Sequence, residues 1–140
     1  MSRLLDTLQE RVLLCDGGMG SRVQEADLDV DRDFLGKENC TDILTRSRPD
    51  LVRDIHASYL EAGADMVITN TFGTSPVTLG EFDIADEAFD LSKAAAELAR
   101  EATELFTDGR QRFVLGDVGP GTKLPSLGHI DYQPLEDALT

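Results

Sequence analysis

Three times along this chain a short apolar run ends in a glycine-marked loop, and the stretches between these runs read as helix. No other feature constrains the fold as much. The runs are Val12-Leu13-Leu14-Cys15 before Asp16-Gly17-Gly18-Met19-Gly20, Ala64 to Thr69 before Asn70-Thr71-Phe72-Gly73, and Phe113-Val114-Leu115 before Gly116-Asp117-Val118-Gly119-Pro120. Apolar runs of this length, bounded by turn-forming residues, read as strands; the first, Val12 to Cys15, reads as a strand buried on both faces. Strands joined through helices by right-handed crossovers lie parallel. The expected fold class is α/β, built from about three βα units.

Between the runs the apolar spacing switches to the helical period. Ser2 to Glu10 reads as a short amphipathic helix. Ser47-Arg48-Pro49-Asp50 has capping-box form, with the Ser47 hydroxyl expected to accept from first-turn N–H groups and Pro49 tolerated where those groups lack partners. Leu51, Val52, Ile55, Tyr59 and Leu60 then share one face, and Gly63 stands where a left-handed cap would end the element, predicting a helix over Arg48 to Ala62. Ala88, Leu91, Ala95, Leu98, Ala99, Ala102 and Phe106 mark a longer helix over Glu87 to Phe106, whose alanines suit close packing on a sheet. Ser21 to Lys37, with Asp27, Asp29, Asp31 and Asp33, reads as an irregular, solvated acidic segment. Gly121 to Gln133 reads as a loop, followed by the start of a helix over Pro134 to Thr140.

Parallel α/β sheets bind ligands where loops leave the carboxyl ends of their strands. Asp16 stands at the first such mouth, and the glycines beside it remove side chains that would block access to backbone N–H groups. A ligand met by one carboxylate and several amides carries both charges, as an amino acid does. Asn70 and Thr71 line the second mouth. Asp117, at the third, can either face the same crevice or cap a following turn.

A formal charge of −14 over 140 residues opposes phosphate backbones and anionic bilayers, so neither nucleic acid nor membrane is an expected partner. No apolar run approaches the roughly 18 residues of a membrane span, and Met1 to Arg11 does not resemble a secretory signal. A soluble, cytoplasmic chain is expected, with enough apolar residues (41%) for one globular core. Cys15 and Cys40 lack the spacing of a disulfide framework or a structural zinc site. Three strands cannot close a barrel, and a (β/α)8 barrel takes about 250 residues. An open doubly wound sheet usually has more strands as well, so the chain is expected to be a fragment, ending near the start of the helix after the third strand.

The segments VLLCDGGMGS, NCTDILTRSRPDLVRDIHASYLEAGADMVITNTFG and FVLGDVGP, in that order, resemble the first half of the homocysteine S-methyltransferase domain family. Within it they are most similar to the N-terminal domains of cobalamin-dependent methionine synthases. The resemblance covers about Arg11 to Thr140. It implies a (β/α)8 TIM barrel in which zinc, held by three cysteines of the barrel's second half, binds the thiolate of homocysteine for methylation to methionine. On this reading Asp16 meets the substrate's ammonium group and the N–H groups around Gly17, Gly18 and Met19 receive its carboxylate. Asn70, Thr71 and Phe72 wall the pocket. The zinc ligands would lie outside this chain, methylcobalamin would be the methyl donor, and the partners would be the methyl-donor domains of a longer protein. The chain alone would then be inactive. One departure is Ile68, where many relatives carry a polar residue, often Glu or Gln; if Asn70 faces inward, alternation turns Ile68 inward too.

Two other readings are weighed against this one. Gly18-Met19-Gly20-Ser21-Arg22-Val23 nearly matches a dinucleotide-binding loop, but Val23 stands where a glycine is required and Asp16 would repel a pyrophosphate. A non-catalytic half-barrel that self-associates through its open edges is the second. Among the remaining candidates, Cys15 is expected to be buried under a helix, on the face of its strand opposite Asp16. Cys40 is expected to be structural or at the surface, His56 to be a packing or surface residue, and His129 to lie in a loop.

Overall fold

The computed structural model describes residues 3–139. Ser2 and Thr140, the outer ends of the first and last expected helices, lie outside them. In chain order the helices are α1 (Arg3–Glu10), α2 (Met19–Gln24), α3 (Leu44–Ser47), α4 (Pro49–Glu61), α5 (Pro76–Leu79), α6 (Ala88–Glu104) and α7 (Tyr132–Asp137); β1 (Met66–Ile68) precedes α5 and β2 (Phe113–Leu115) follows α6. The sheet is small and parallel. Met66 pairs with Phe113, Val67 with Val114 and Ile68 with Leu115. On the other side of β1, Cys15 joins through a single parallel bridge to Met66.

The first run is thus extended and parallel, but it is not the strand buried on both faces that its composition suggests. Leu13 is 8% exposed, while Val12 and Leu14 are 82% and 60% exposed. The run lies at the sheet edge, so only the residue turned toward the helices is covered. Cys15 is likewise exposed rather than buried, because it sits at that edge, at the end of the first run beside β1. Its registration comes from the main chain and from one carboxylate. Leu14 O accepts from the N–H groups of Asp65 (2.8 Å) and Met66 (3.1 Å), and Asp65 accepts from Leu14 N–H at 3.0 Å while forming a two-pronged ion pair with Arg11 at 2.9 and 3.0 Å. These contacts hold Asp65 below the usual carboxylate range, the Arg11 guanidinium contributing most. They fasten the amino end of the sheet and leave its carboxyl end to the loops.

Helices α4 and α6 cover one face of the sheet. Leu60, Val67, Ala99 and Ala102 form a buried cluster with Phe106 and Val114 against it, and each large apolar side chain so buried contributes roughly 1.5–3 kcal/mol. Ala95, Ala99 and Ala102 are fully buried, so α6 approaches closely, as its alanine stripe predicts. A second cluster joins Val23 of α2 to Leu44, Val52 and Ile55, and a third surrounds Cys40, Ile43, Leu79 and Leu91. Cys40 is therefore structural. Both long helices fall within two residues of their expected bounds, and Gly63 takes the left-handed conformation, with φ of 109°.

Three local expectations are overturned. Ser47 does not cap α4; it ends α3, and its hydroxyl donates to the carbonyls of Asp33 and Ile43, while the capping position falls to Arg48 with Pro49 opening the helix. The acidic segment is not irregular throughout, since Met19–Gln24 is helical and buries Val23. Nor is its charge all solvated. Asp33 is 2% exposed, paired with Arg32 at 2.7 Å and Arg48 at 3.3 Å and accepting from Asp29 N–H at 2.9 Å, an arrangement that pulls its pKa well below the usual range. Among the described residues no helix is long and apolar enough to cross a membrane.

Candidate functional site

The carboxyl ends of the extended segments meet at a cavity of about 270 Å³ lined by Asp16, Gly17, Gly18, Met19, Ile68, Thr69 and Asp117. Asp16 reaches it because its backbone N–H donates to Met66 O at 3.0 Å, which places the residue immediately past the bridge. Its Oδ2 accepts from Ile68 N–H at 3.0 Å. Ile68 thus serves the acid through its main chain, a role that any side chain at that position preserves. Partial burial raises the Asp16 pKa; the Ile68 N–H and the Cys15 thiol, 3.5 Å away, oppose the rise, and the negative charge of Asp117 adds to it.

The glycine loop is shaped from beneath by Tyr59 of α4. Its hydroxyl donates to Gly18 O at 3.1 Å, and a Cβ on Gly17 would lie 3.0 Å from the ring. Gly18 is extended and opens α2, whose amino end is capped by no side chain. Its first-turn N–H groups therefore have no side-chain acceptor, and Gly17, Gly18 and Met19 line the cleft. The site offers a carboxylate and backbone donors within one small space.

The residues of the second mouth divide. Asn70 is buried and turns away from the cavity: its Nδ2 donates to Thr41 O at 2.9 Å and to Thr45 Oγ1 at 3.3 Å, so it braces the turn before α3. Thr71 and Phe72 line a neighbouring cavity of about 250 Å³, together with Ser75, Ser92 and Gly119. The two cavities share Thr69 and Asp117. Phe72, 62% exposed, accepts through its carbonyl from Gly119 N–H at 3.1 Å, tying the second loop to the third. A Cβ on Gly119 would lie 2.3 Å from that oxygen, so the contact requires glycine. Asp42 supports the same loop, its Oδ1 accepting from Gly73 N–H at 3.0 Å and Thr74 Oγ1 at 2.7 Å.

Asp117 lines the crevice instead of capping a turn. Tyr59, Thr69 and Asp42 had no sequence signal of a role here: Tyr59 reads as one more apolar position of α4, and Asp42 as an isolated acid between Cys40 and Ile43. His56 is fully buried with both ring nitrogens unpartnered among the described residues, and burial pushes its pKa down to about 4. It is a packing residue. His129 lies in the loop, its Nδ1 accepting from Leu124 N–H at 3.4 Å. Among the described residues no group of three or more His, Cys, Asp or Glu side chains is arranged to hold a metal ion. With Cys15 exposed and Cys40 in a core cluster, these residues do not fit a catalytic zinc centre.

The sequence model of the homocysteine S-methyltransferase family matches residues 13–140. The chain belongs to that family. It is 51% identical over 138 residues to a methionine synthase of Mycobacterium leprae and 52% identical over 138 residues to one of Mycobacterium tuberculosis, in each case over 98% of this chain. It spans 11% and 12% of the length of these curated relatives. Its fold matches crystal structures of the Escherichia coli homocysteine methyltransferase MmuM. The oxidized form aligns with a TM-score of 0.71 and 23% identity over 85% of this chain and 41% of that one, and the metallated form with 0.68 and 24% over 84% and 41%. A dinucleotide loop fits this family chain poorly on its own geometry, since Val23 packs into the core where that motif needs a glycine.

Proposed function

We propose that this chain is the substrate-clamping part of a homocysteine S-methyltransferase of the methionine synthase type, the N-terminal portion of a (β/α)8 barrel in a longer protein. One observation carries the reading: in a chain of this family, Asp16 and the glycine loop after it, Gly17 to Met19, line one small cavity. Asp16 takes the ammonium group of homocysteine, and the N–H groups of the Gly17 to Met19 loop take its carboxylate. Thr71 and Phe72 wall the adjoining space, and Asn70 contributes by bracing rather than by contact. Orientation of the thiol is what such a clamp supplies.

Activation of that thiol is no part of this chain's contribution, because its residues do not fit zinc; the metal, the methyl donor, methylcobalamin on this reading, and the domains presenting it belong to the rest of a cytoplasmic protein. Calorimetric titration of the intact protein with L-homocysteine tests the clamp. Asp16→Asn weakens binding by roughly 1.5–3 kcal/mol, the size of a charge-assisted contact, and leaves zinc content unchanged. Equal affinity in the two proteins removes Asp16 from the site.

A further inference from the structure

The mechanism sketched above uses one carboxylate, yet two line the cleft. The charged side chains around this cavity are Asp16 and Asp117, and Ile68 brings only an apolar one. Asp117 accepts no hydrogen bond on its carboxylate from the described residues, whereas its main chain is gripped at both ends. Its N–H donates to Thr69 Oγ1 at 3.0 Å, and its carbonyl accepts from Thr71 Oγ1 at 2.7 Å. The two threonine hydroxyls lie 2.6 Å apart and are 5% and 9% exposed. The Thr71 proton is committed to Asp117 O, so the proton between the hydroxyls belongs to Thr69. Thr69 then accepts from Asp117 N–H and donates to Thr71, which donates to Asp117 O. The ring closes on Asp117 with every donor used once.

Such a buried ring, every hydroxyl proton directed, fixes the backbone of one residue and leaves its side chain to the crevice. Two carboxylates sharing a small cavity repel each other, and a cation between them removes that repulsion. We propose that Asp117 is a second substrate-binding carboxylate, receiving the ammonium group of homocysteine opposite Asp16, and that Thr69 and Thr71 are the positioning residues that hold it there. The inference rests on the homocysteine reading. It adds a specificity: the cleft selects a free, charged amine.

The test measures affinity of the intact protein for L-homocysteine and for 4-mercaptobutanoate, which has the thiol and carboxylate but no amine. Asp117→Asn weakens homocysteine binding roughly ten- to a hundred-fold and leaves 4-mercaptobutanoate binding unchanged. Thr71→Val, which breaks the ring, weakens homocysteine in the same selective way, and Thr71→Ser restores it; a purely structural role would reduce both ligands together. Near-ultraviolet circular dichroism checks that each variant is folded, and Asp117→Asn, which removes no intramolecular hydrogen bond, keeps the test available if Thr71→Val unfolds. Homocysteine affinity unchanged in Asp117→Asn but lost in Asp16→Asn overturns this inference alone. Loss of both ligands in Asp117→Asn also overturns it. A wild-type protein that does not bind homocysteine overturns the underlying reading as well.

Discussion

His56 gives this fold a pH dependence that can be isolated from the rest of its charges. The ring is fully buried and neither nitrogen has a partner among the described residues, so only the neutral form is tolerated. Its pKa falls from 6.5 to about 4 on folding. A base with a depressed folded pKa contributes stability that is present above its unfolded value and is lost as the pH falls toward the folded one. The window runs from about 6.5 to about 4, and at about 1.4 kcal/mol per pH unit the loss across it is roughly 3 kcal/mol. The paired carboxylates Asp33, Asp65 and Asp108 have lowered pKa values, so their losses come below that window. Asp16 acts in the opposite sense, its raised pKa adding stability as the pH falls. A comparison with His56→Leu cancels that contribution. At pH 7 the variant is close to wild type, since replacing an unpartnered polar group with an apolar one of similar size costs little. At pH 4 it is the more stable by roughly 3 kcal/mol, read from urea unfolding at pH 7, 6, 5 and 4. Parallel pH profiles for the two proteins would refute the reasoning and mean that the ring finds a proton acceptor.

Three further outcomes follow from the geometry. Gly119→Ala places a methyl group 2.3 Å from Phe72 O and costs about 1–3 kcal/mol by overpacking; thermal unfolding shows it as a Tm lowered by several degrees, and an unchanged Tm would mean that the two loops separate freely. In a thiol titration at pH 8, the exposed Cys15 reacts in the folded protein, slowed because partial burial and Asp16 raise its pKa, and the buried Cys40 reacts only once denaturant is added. Two equally fast thiols would contradict the core placement of Cys40. Dialysed and analysed for metal, the 140-residue chain retains far less than stoichiometric zinc and forms no methionine with methylcobalamin, betaine or sulfonium donors, because a catalytic zinc takes about three protein ligands. Stoichiometric retention would move the metal-bearing part into this chain.

Helix periodicity and loop chemistry were legible in the residues themselves. The stripes of α4 and α6 are set by the helical repeat, and Gly63 by the left-handed backbone that ends α4, so both could be read before any fold was known. Asp16 at a strand mouth followed in the same way from the order apolar run, acid, glycines. What local pattern does not carry is which neighbour covers a given face. Val12 to Cys15 has the composition of a fully buried strand, but it lies at the edge of the sheet, and the exposure of Val12, Leu14 and Cys15 is decided by what pairs beyond it. Asp33 looks like its solvated neighbours; its burial is made tolerable by Arg32 and Asp29 N–H nearby and by Arg48, fifteen positions later in the chain, a partner that local pattern does not show. Asn70 and Thr71 are adjacent and equally polar, yet Asn70 finds its acceptors in the turn before α3 and in α3 itself, and Thr71 finds its own in the third loop. Such choices rest on contacts between residues distant in sequence, and a hydrogen bond has no partner until the chain has folded to supply one.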